Sequence, residues 1–555
     1  MSNESPNESP IEVRIEVRTE VRMEAISNVD QVETLADLVR FQARERGTHP
    51  ALVFEDRVTS YAQFDRLTNR VANGLIAAGV GSQKRVAFLD KNSDLFYEVV
   101  FGCAKANAVP VGINWRLAPP EVAYVVNDSE AEIMFVGPDF FSLVEKIAAE
   151  LTTVKRIIAM APGHEAWVDF ASWRDAQADA DPDVPSGRDD ICIQMYTSGT
   201  TGHPKGVQLP NRAFFDLRRI APSSESKYDM EWNHWSADDV SLVAMPSFHI
   251  GGAGWGIQGL TAGAKNIVVS EFEPGRVLDI IESEGISKLF MVPAAMRLCL
   301  QHPACRDTDF SSVKYILYGA SPIPLDLLKE AIEVFRCGFV QLYGMTETTG
   351  TATYLPPQDH DVTGTSEKMK SAGRPMPGVE VKIVDDDGEA LGPRQVGEIC
   401  LASAANMTGY WNLPEATAKT LVDGFVHTGD AGYLDEDGYV YVHDRVKDMI
   451  VSGAENVYPA EVENAIFGHP AVADVAVIGV PDEKWGEAVK AVVVLKPGAE
   501  PDADSIIGFA RERIAAYKCP KTVDFVAELP RNPSGKILKR ELREPHWVGY
   551  ERKVN

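Results

Sequence analysis

The sequence predicts an α/β protein with a large N-terminal domain of mostly parallel α/β subdomains plus a small β-rich unit, and a smaller, mobile α/β C-terminal domain. Three observations carry this. From about residue 34, helical patterns such as "YAQFDRLTNRVANGLIAAG" alternate with short apolar runs such as "RVAFLD" and "EIMFV", and the alternation continues through "VSLVAMPSF", "NIVVSEF", "SKLFMVP" and "VKYILYGAS". Strands alternating with helices imply parallel sheets, with ligand sites at the C-terminal ends of the strands. Near residue 380 the texture changes to "VEVKIVDDDGEAL", "GEICLAS" and "GYVYVHDR", short strands joined by D-G turns. After Arg445, "VADVAVIGVP", "AVKAVVVLK", "DADSIIGFARERIAAY" and "TVDFVAEL" read as a compact domain of about a hundred residues, a usual domain size.

The length agrees: 555 residues exceed the roughly 250–300 at which single cores stop growing. The expected division is a low-complexity tail over 1–33, a large domain over 34–444, a small domain over 445–548 and a short tail over 549–555. The first tail carries "NESP" twice and "IEVR" twice, a compositional repeat outside the fold.

With 45% hydrophobic and 24% charged residues the composition is globular, and the net charge of −27 argues against nucleic acid and anionic membrane surfaces as partners. An anionic ligand must therefore be met by local cations. Cys103, Cys192, Cys299, Cys305, Cys337, Cys400 and Cys519 show no C-x-x-C spacing, which fits a reducing compartment rather than a zinc framework or a disulfide scaffold. No apolar run is long enough to span a bilayer, and the N-terminus lacks a signal peptide's apolar region. The expectation is a soluble cytoplasmic protein.

One stretch concentrates phosphate-binding chemistry: "YTSGTTGHPKGV" over 196–207, after the alternating Ile191, Ile193 and Met195. A Walker loop requires lysine directly after its second glycine, but here Pro204 precedes Lys205 and Gly206 follows it. The physics survives the failed spacing. Gly199 and Gly202 let backbone N–H groups converge on an anion, Thr197, Ser198, Thr200 and Thr201 supply hydroxyls, and Lys205 adds a charge. Because "NRAFFDLRRI" reads as a helix opening, the loop is expected between a strand and a helix.

Further motifs follow in order: "SFHIGG" (247–252), "YGAS" (318–321), "QLYGMTETTG" (341–350), "HTGDAGYLDEDG" (427–438), "DRVKDMIVSGAENVYPAEVE" (444–463) and "PRNPSGKILKREL" (530–542). Together they resemble the adenylate-forming superfamily of acyl-CoA synthetases, peptide-synthetase adenylation domains and luciferase, and most closely fatty-acyl-CoA synthetases. The resemblance runs from roughly residue 34 to 543. It implies that a carboxylate attacks the α-phosphate of ATP, pyrophosphate leaves, and a thiol, usually that of CoA, takes the acyl group from acyl-AMP.

The resemblance also implies roles. The 197–205 loop cradles the β- and γ-phosphates. Glu347, with Thr197 as second choice, holds Mg²⁺, which is content with few carboxylates plus phosphate oxygens. Thr346 bonds the α-phosphate. Gly319, Ala320 and Ser321, with Gln341, Leu342, Tyr343, Gly344 and Met345, line the adenine, Tyr343 stacking on the ring. Asp430 and Arg445 meet the ribose. Lys536 lies between carboxylate and α-phosphate, where an ammonium neutralises both. Lys447 matches the family's hinge, and Ser452, Gly453, Ala454 and Glu455 line the thiol tunnel after the small domain rotates.

Phe248 and His249 fall where the family gates its acyl pocket, and Trp255 lines it. Glycines at 251, 252, 254 and 256 suggest a roomy apolar channel suited to medium, long or bulky acids. Ala454 stands where glycine is frequent, and Ser247 where relatives often have a bulkier residue. The alternatives are an aryl, terpenoid or steroid side-chain acid as substrate, a stand-alone ligase that loads a carrier protein, and a silent nucleotide-binding scaffold. Decay to a scaffold should show first at Lys536, Glu347 or Lys205, and all three are present. A homodimer is the family-level expectation.

Overall fold

The computed structural model describes residues 31–197, 204–219, 230–236, 238–361, 366–445, 448–452, 455–482, 485–531 and 537–548. The N-terminal repeats lie outside them, as do Ser198–His203, Lys447, Gly453, Ala454 and Lys536. Packing starts inside the segment read as a tail, for Val32 is 1% exposed.

Local signals set the element boundaries. Ser60 opens the helix Tyr61–Ala77 with a reciprocal cap, its hydroxyl accepting from Gln63 N while Gln63 Oε1 accepts from Ser60 N. Tyr61, Phe64, Thr68, Val71, Ala72 and Leu75 then recur at helical spacing and are all buried. The parallel strands read as continuous apolar runs: every residue of Arg85–Leu89, Ile133–Val136 and Lys288–Met291 is buried, because helices cover both faces.

Two large sheets form the N-terminal part. The nine-stranded sheet runs in the order 374–375, 353–355, 338–343, 315–319, 288–291, 240–243, 265–268, 50–54 and 57–60. The eight-stranded sheet runs 409–410, 205–210, 191–197, 109–112, 85–89, 133–136, 156–159 and 168–169. A third sheet, with Glu380–Val384, Gly397–Ala402 and Phe425–Leu434 at its centre, is antiparallel throughout. Residues 450–542 hold apolar clusters of their own around the paired strands Val472–Asp482 and Gly486–Leu495. That part touches the large domain through Arg297, which donates to Ala473 O at 3.0 Å and Asp474 Oδ2 at 3.1 Å.

The Gly-rich stretch joins two strands, not a strand and a helix: Ile191–Thr197 and Lys205–Pro210 pair antiparallel with Thr197 opposite Lys205, and the helix Arg212–Arg219 begins only afterwards. Val207 and Leu209, both 0% exposed, carry the period of two that marks the second strand.

The roomy-channel reading also gives way in part. A Cβ on Gly252 would lie 2.2 Å from Pro246 O, and one on Gly256 would lie 2.0 Å from Tyr97 Oη, which donates to Gly252 O. These two glycines serve close packing of the helix Ile250–Ala262, not cavity volume. Gly251 and Gly254 meet only side-chain atoms, of Phe290 and Ile250, at 3.1 and 3.2 Å. Gly256→Ala is therefore expected to destabilise the fold by about 1–3 kcal/mol through overpacking, against the gain of up to ~1 kcal/mol that alanine brings to an open helix site. Thermal unfolding checks it, and an unchanged or raised Tm would refute the packing role.

Candidate active site

The site forms where the parallel strands end. Gly319 closes the strand Tyr315–Gly319, in register with Leu342, and its missing side chain is required: a Cβ would sit 2.2 Å from Leu342 O. Ala320 follows with φ 66°, an uncommon backbone for a residue with a side chain, so the chain turns sharply as it leaves the sheet. Gly344 is constrained likewise, with Gly350 O 2.0 Å from any Cβ. These contacts fix 319–321 and 341–345 as two adjacent backbone ledges.

Tyr343 and Asp430 meet. The tyrosine hydroxyl donates to Asp430 Oδ2 at 2.8 Å, and Asp430 N donates to Thr428 Oγ1 at 3.0 Å. An aromatic face and a carboxylate thus share one wall. Arg445 is the register partner of Asp430 on the neighbouring strand, which brings its backbone to the same edge.

Glu347 lies in the single 3₁₀ turn Thr346–Thr348 and is 5% exposed, so it is not a solvated surface acid. Its Oε1 accepts from Tyr410 Oη at 2.8 Å, and its carbonyl accepts from Met407 N at 2.8 Å. The short strand Gly409–Tyr410 pairs with Lys205–Pro210, and Lys205 Nζ lies 4.8 Å from the Tyr410 ring centroid. Tyr410 consequently connects Lys205 with the Glu347 carboxylate. Sequence reasoning missed this residue; the signal was present in "MTGYWN", a glycine followed by two aromatics. Thr197, Lys205, Thr346 and Glu347 thus share one structural corner. An all-oxygen donor set of a buried carboxylate and hydroxyls suits Mg²⁺.

The rings of Phe248 and His249 lie with centroids 4.6 Å apart, tilted by 53° to each other, at the N-terminus of the helix Ile250–Ala262. His249 Nε2 is shut away from solvent with no hydrogen-bond partner, and burial, helped by nearby Arg116, pushes its pKa down to about 4. This histidine is a neutral, apolar-facing group at pH 7. Trp255 donates to Leu242 O at 3.0 Å and packs on Trp235 and Phe290. Burial also holds His360 down, at about 4, between Pro356 O at 2.9 Å and Tyr318 Oη at 3.0 Å. With Nδ1 donating to the carbonyl, Nε2 accepts from the hydroxyl, a network made for the neutral ring.

Both histidines have folded pKa values below the unfolded value of about 6.5, so the unfolded chain binds the extra protons. Their contribution to stability is complete above about pH 6.5 and is lost as pH falls toward 4. A loss of about 1–2 kcal/mol per histidine is expected at pH 5. Denaturant unfolding of wild type and His360→Gln at pH 7.5 and 5.0 checks it, the variant showing the smaller drop; an equal drop would remove His360 from the account.

Ser452 is buried opposite Glu455 in a tight strand pair, at the edge of the segment expected to line the thiol tunnel. Arg531 and Ile537, which flank the Lys536 motif in sequence, form an isolated antiparallel bridge. Asp474 accepts from Arg531 at 2.5 Å as well as from Arg297, so one carboxylate joins Arg531 to the large domain.

The Tyr343–Asp430 wall, the buried Glu347 carboxylate joined through Tyr410 to Lys205 and a separate C-terminal apolar core give the arrangement against which known proteins are compared. The AMP-binding enzyme family matches residues 39–411, and the AMP-binding enzyme C-terminal domain matches 461–536. The chain belongs to this adenylate-forming family and is an acid–thiol ligase. It is 44% identical over 526 residues to the fatty acid–[acyl-carrier-protein] ligase ScoC of Streptomyces coeruleorubidus, covering 95% of this chain and 99% of that one. It is 40% identical to a feruloyl-CoA synthase of an Amycolatopsis species, covering 87% and 93%. Among solved structures, the anthranilate CoA ligase AuaEII with anthranoyl-AMP superposes with a TM-score of 0.84 at 27% identity, covering 94% and 99%. Among the described residues no helix is long and apolar enough to cross a membrane.

Proposed function

We propose that the protein activates a medium- or long-chain fatty acid with ATP and passes the acyl group to the thiol of CoA. The observation that carries the reading is the buried Glu347–Tyr410–Lys205 corner beside the Tyr343–Asp430 wall. The wall seats adenine and ribose, with Arg445 approaching the ribose. Lys205 and the hydroxyls of the loop hold the β- and γ-phosphates. Glu347, with Thr197 or Thr346 nearby, would hold Mg²⁺, which when bound neutralises charge on the phosphate oxygens. Lys536 brings the carboxylate to the α-phosphate, and domain closure keeps water from the mixed anhydride.

The fatty acid is favoured by the apolar Phe248–His249 gate, uncharged at neutral pH, and by the 44% identity with a fatty acid ligase over nearly the whole chain. That same relative supports a second reading of the acceptor, the thiol of a carrier protein's phosphopantetheine arm. Its chemistry matches that of CoA, so the same tunnel serves either. We place the reaction in the cytoplasm, in keeping with seven unpaired cysteines.

The test incubates the protein with ATP and Mg²⁺ and acids from acetate to oleate, plus ferulate and benzoate, each with CoA or with a phosphopantetheinylated carrier protein. AMP and thioester rising together with CoA and the longer fatty acids is the expected result. Thioester with the carrier alone would move the acceptor, turnover of ferulate or benzoate alone would move the acid, and no AMP with any acid would overturn the reading.

A further inference from the structure

Outside the nucleotide site, Glu398, Cys400 and His427 bring an oxygen, a sulfur and a nitrogen donor within 4.8 Å of one another, the one such group of three among the described residues. Cys400 and His427 are direct cross-strand partners on Gly397–Ala402 and Phe425–Leu434. Glu398 lies two residues before Cys400, and the register shift between them lets its carboxylate turn back toward the histidine. His427 Nδ1 is 3.5 Å from Cys400 Sγ and 2.7 Å from Glu398 Oε2.

We propose that these three side chains bind one divalent cation of the zinc class, Glu398 through Oε2, Cys400 through Sγ and His427 through Nδ1. A tetrahedral zinc ion, with bonds of about 2.0 Å to N and O and about 2.3 Å to S, holds such atoms about 3.3–3.5 Å apart. The sulfur–nitrogen separation already meets this, the nitrogen–oxygen pair has to open by about half an ångström, and the sulfur and the carboxylate oxygen, within 4.8 Å of each other, are brought to the same range by rotation of the glutamate side chain. Mixed thiolate, imidazole and carboxylate ligands select zinc over Mg²⁺, which takes oxygen. Gly429 N donates to Glu398 Oε1 at 2.8 Å, orienting the carboxylate from behind. The histidine and glutamate side chains are 21% and 28% exposed, which leaves an entry path and room for water as fourth ligand. On binding, the S–H bond is replaced by a sulfur–metal bond and the thiol proton passes to solvent. Three residues beyond His427 on the same strand stands Asp430, so the ion ties down the strand that carries the nucleotide wall.

Cobalt tests this on the untagged full-length chain, because Co²⁺ takes tetrahedral zinc sites and absorbs strongly in the near ultraviolet when a thiolate is bound. The expected result is one Co²⁺ per chain with a thiolate band, displaced by Zn²⁺ and lost in both Cys400→Ser and His427→Gln, with a Tm rise under Zn²⁺ that both variants lose. Absence of the band in the wild type, or its persistence in Cys400→Ser, would overturn the site. His427→Gln keeps the thiol and gives an independent answer if the serine variant fails to fold.

Discussion

Glu347→Gln is expected to slow acyl-AMP formation by ~10²–10³-fold, the range measured when one preorganised electrostatic partner is removed from a charged transition state. The substitution is nearly isosteric. Glutamine's carbonyl still accepts from Tyr410 Oη, and the main-chain bond from Met407 N to residue 347 is untouched, so packing survives while the negative charge goes. Pyrophosphate exchange into ATP with a saturating acid measures the step. If the charge serves the metal, the variant should need more Mg²⁺ for half-maximal rate, and raising Mg²⁺ should recover part of the loss. Tyr410→Phe keeps the charge and removes the hydroxyl's bond to Glu347, so its loss should be about tenfold, in line with roughly 1–1.5 kcal/mol for such a bond. An exchange rate for Glu347→Gln within about threefold of wild type would refute the assignment.

Much of this fold was legible because apolar periodicity reports burial directly. The runs at 85–89, 133–136 and 288–291 are strands covered on both faces, and the helical pattern that begins at Tyr61 is the helix Tyr61–Ala77. The loop flanks were misread for a physical reason. In "KGVQLP" only Val207 and Leu209 carry the alternation, while Gly206 and Pro210 both weigh against a strand in local preference. Tertiary pairing with Ile191–Thr197 on one side and Gly409–Tyr410 on the other overrides that preference.

Glycine raised the converse difficulty. Composition alone does not distinguish a glycine that opens a cavity from one that admits a tyrosine hydroxyl, and Gly256 is the second kind. Tyr410 was missed for another reason: the aromatic pair after Gly409 can be read in the sequence, but its importance comes from where residues 205, 347 and 410 meet in the fold, which no spacing along the chain encodes. The buried carboxylate was easier to find, since "TET" after a strand end carries the only acid in its motif.

Lys536→Ala is the second large effect, and it should divide the reaction in two. If the ammonium bridges carboxylate and α-phosphate, its loss should lower adenylation by about 10³-fold, because two anions then meet with no charge between them. On the rotation of the small domain that the family resemblance implies, transfer from acyl-AMP supplied in the assay should stay within about threefold of wild type, since that step then has no use for the lysine. Asp474 gives a structural handle on the rotation. It accepts from Arg297 across the domain boundary and from Arg531, five residues before Lys536 in sequence, so the two domains are joined next to the start of the lysine motif. Arg297→Ala cuts that link without touching the lysine, and should shift the ratio of the two half-reactions by several-fold while leaving both active. Equal loss of both half-reactions in Lys536→Ala would mean that the lysine supports the fold or binds the shared nucleotide. A normal rate of adenylation would mean that another cation bridges the reacting anions, and Lys539 or Arg540 would then be the next to replace.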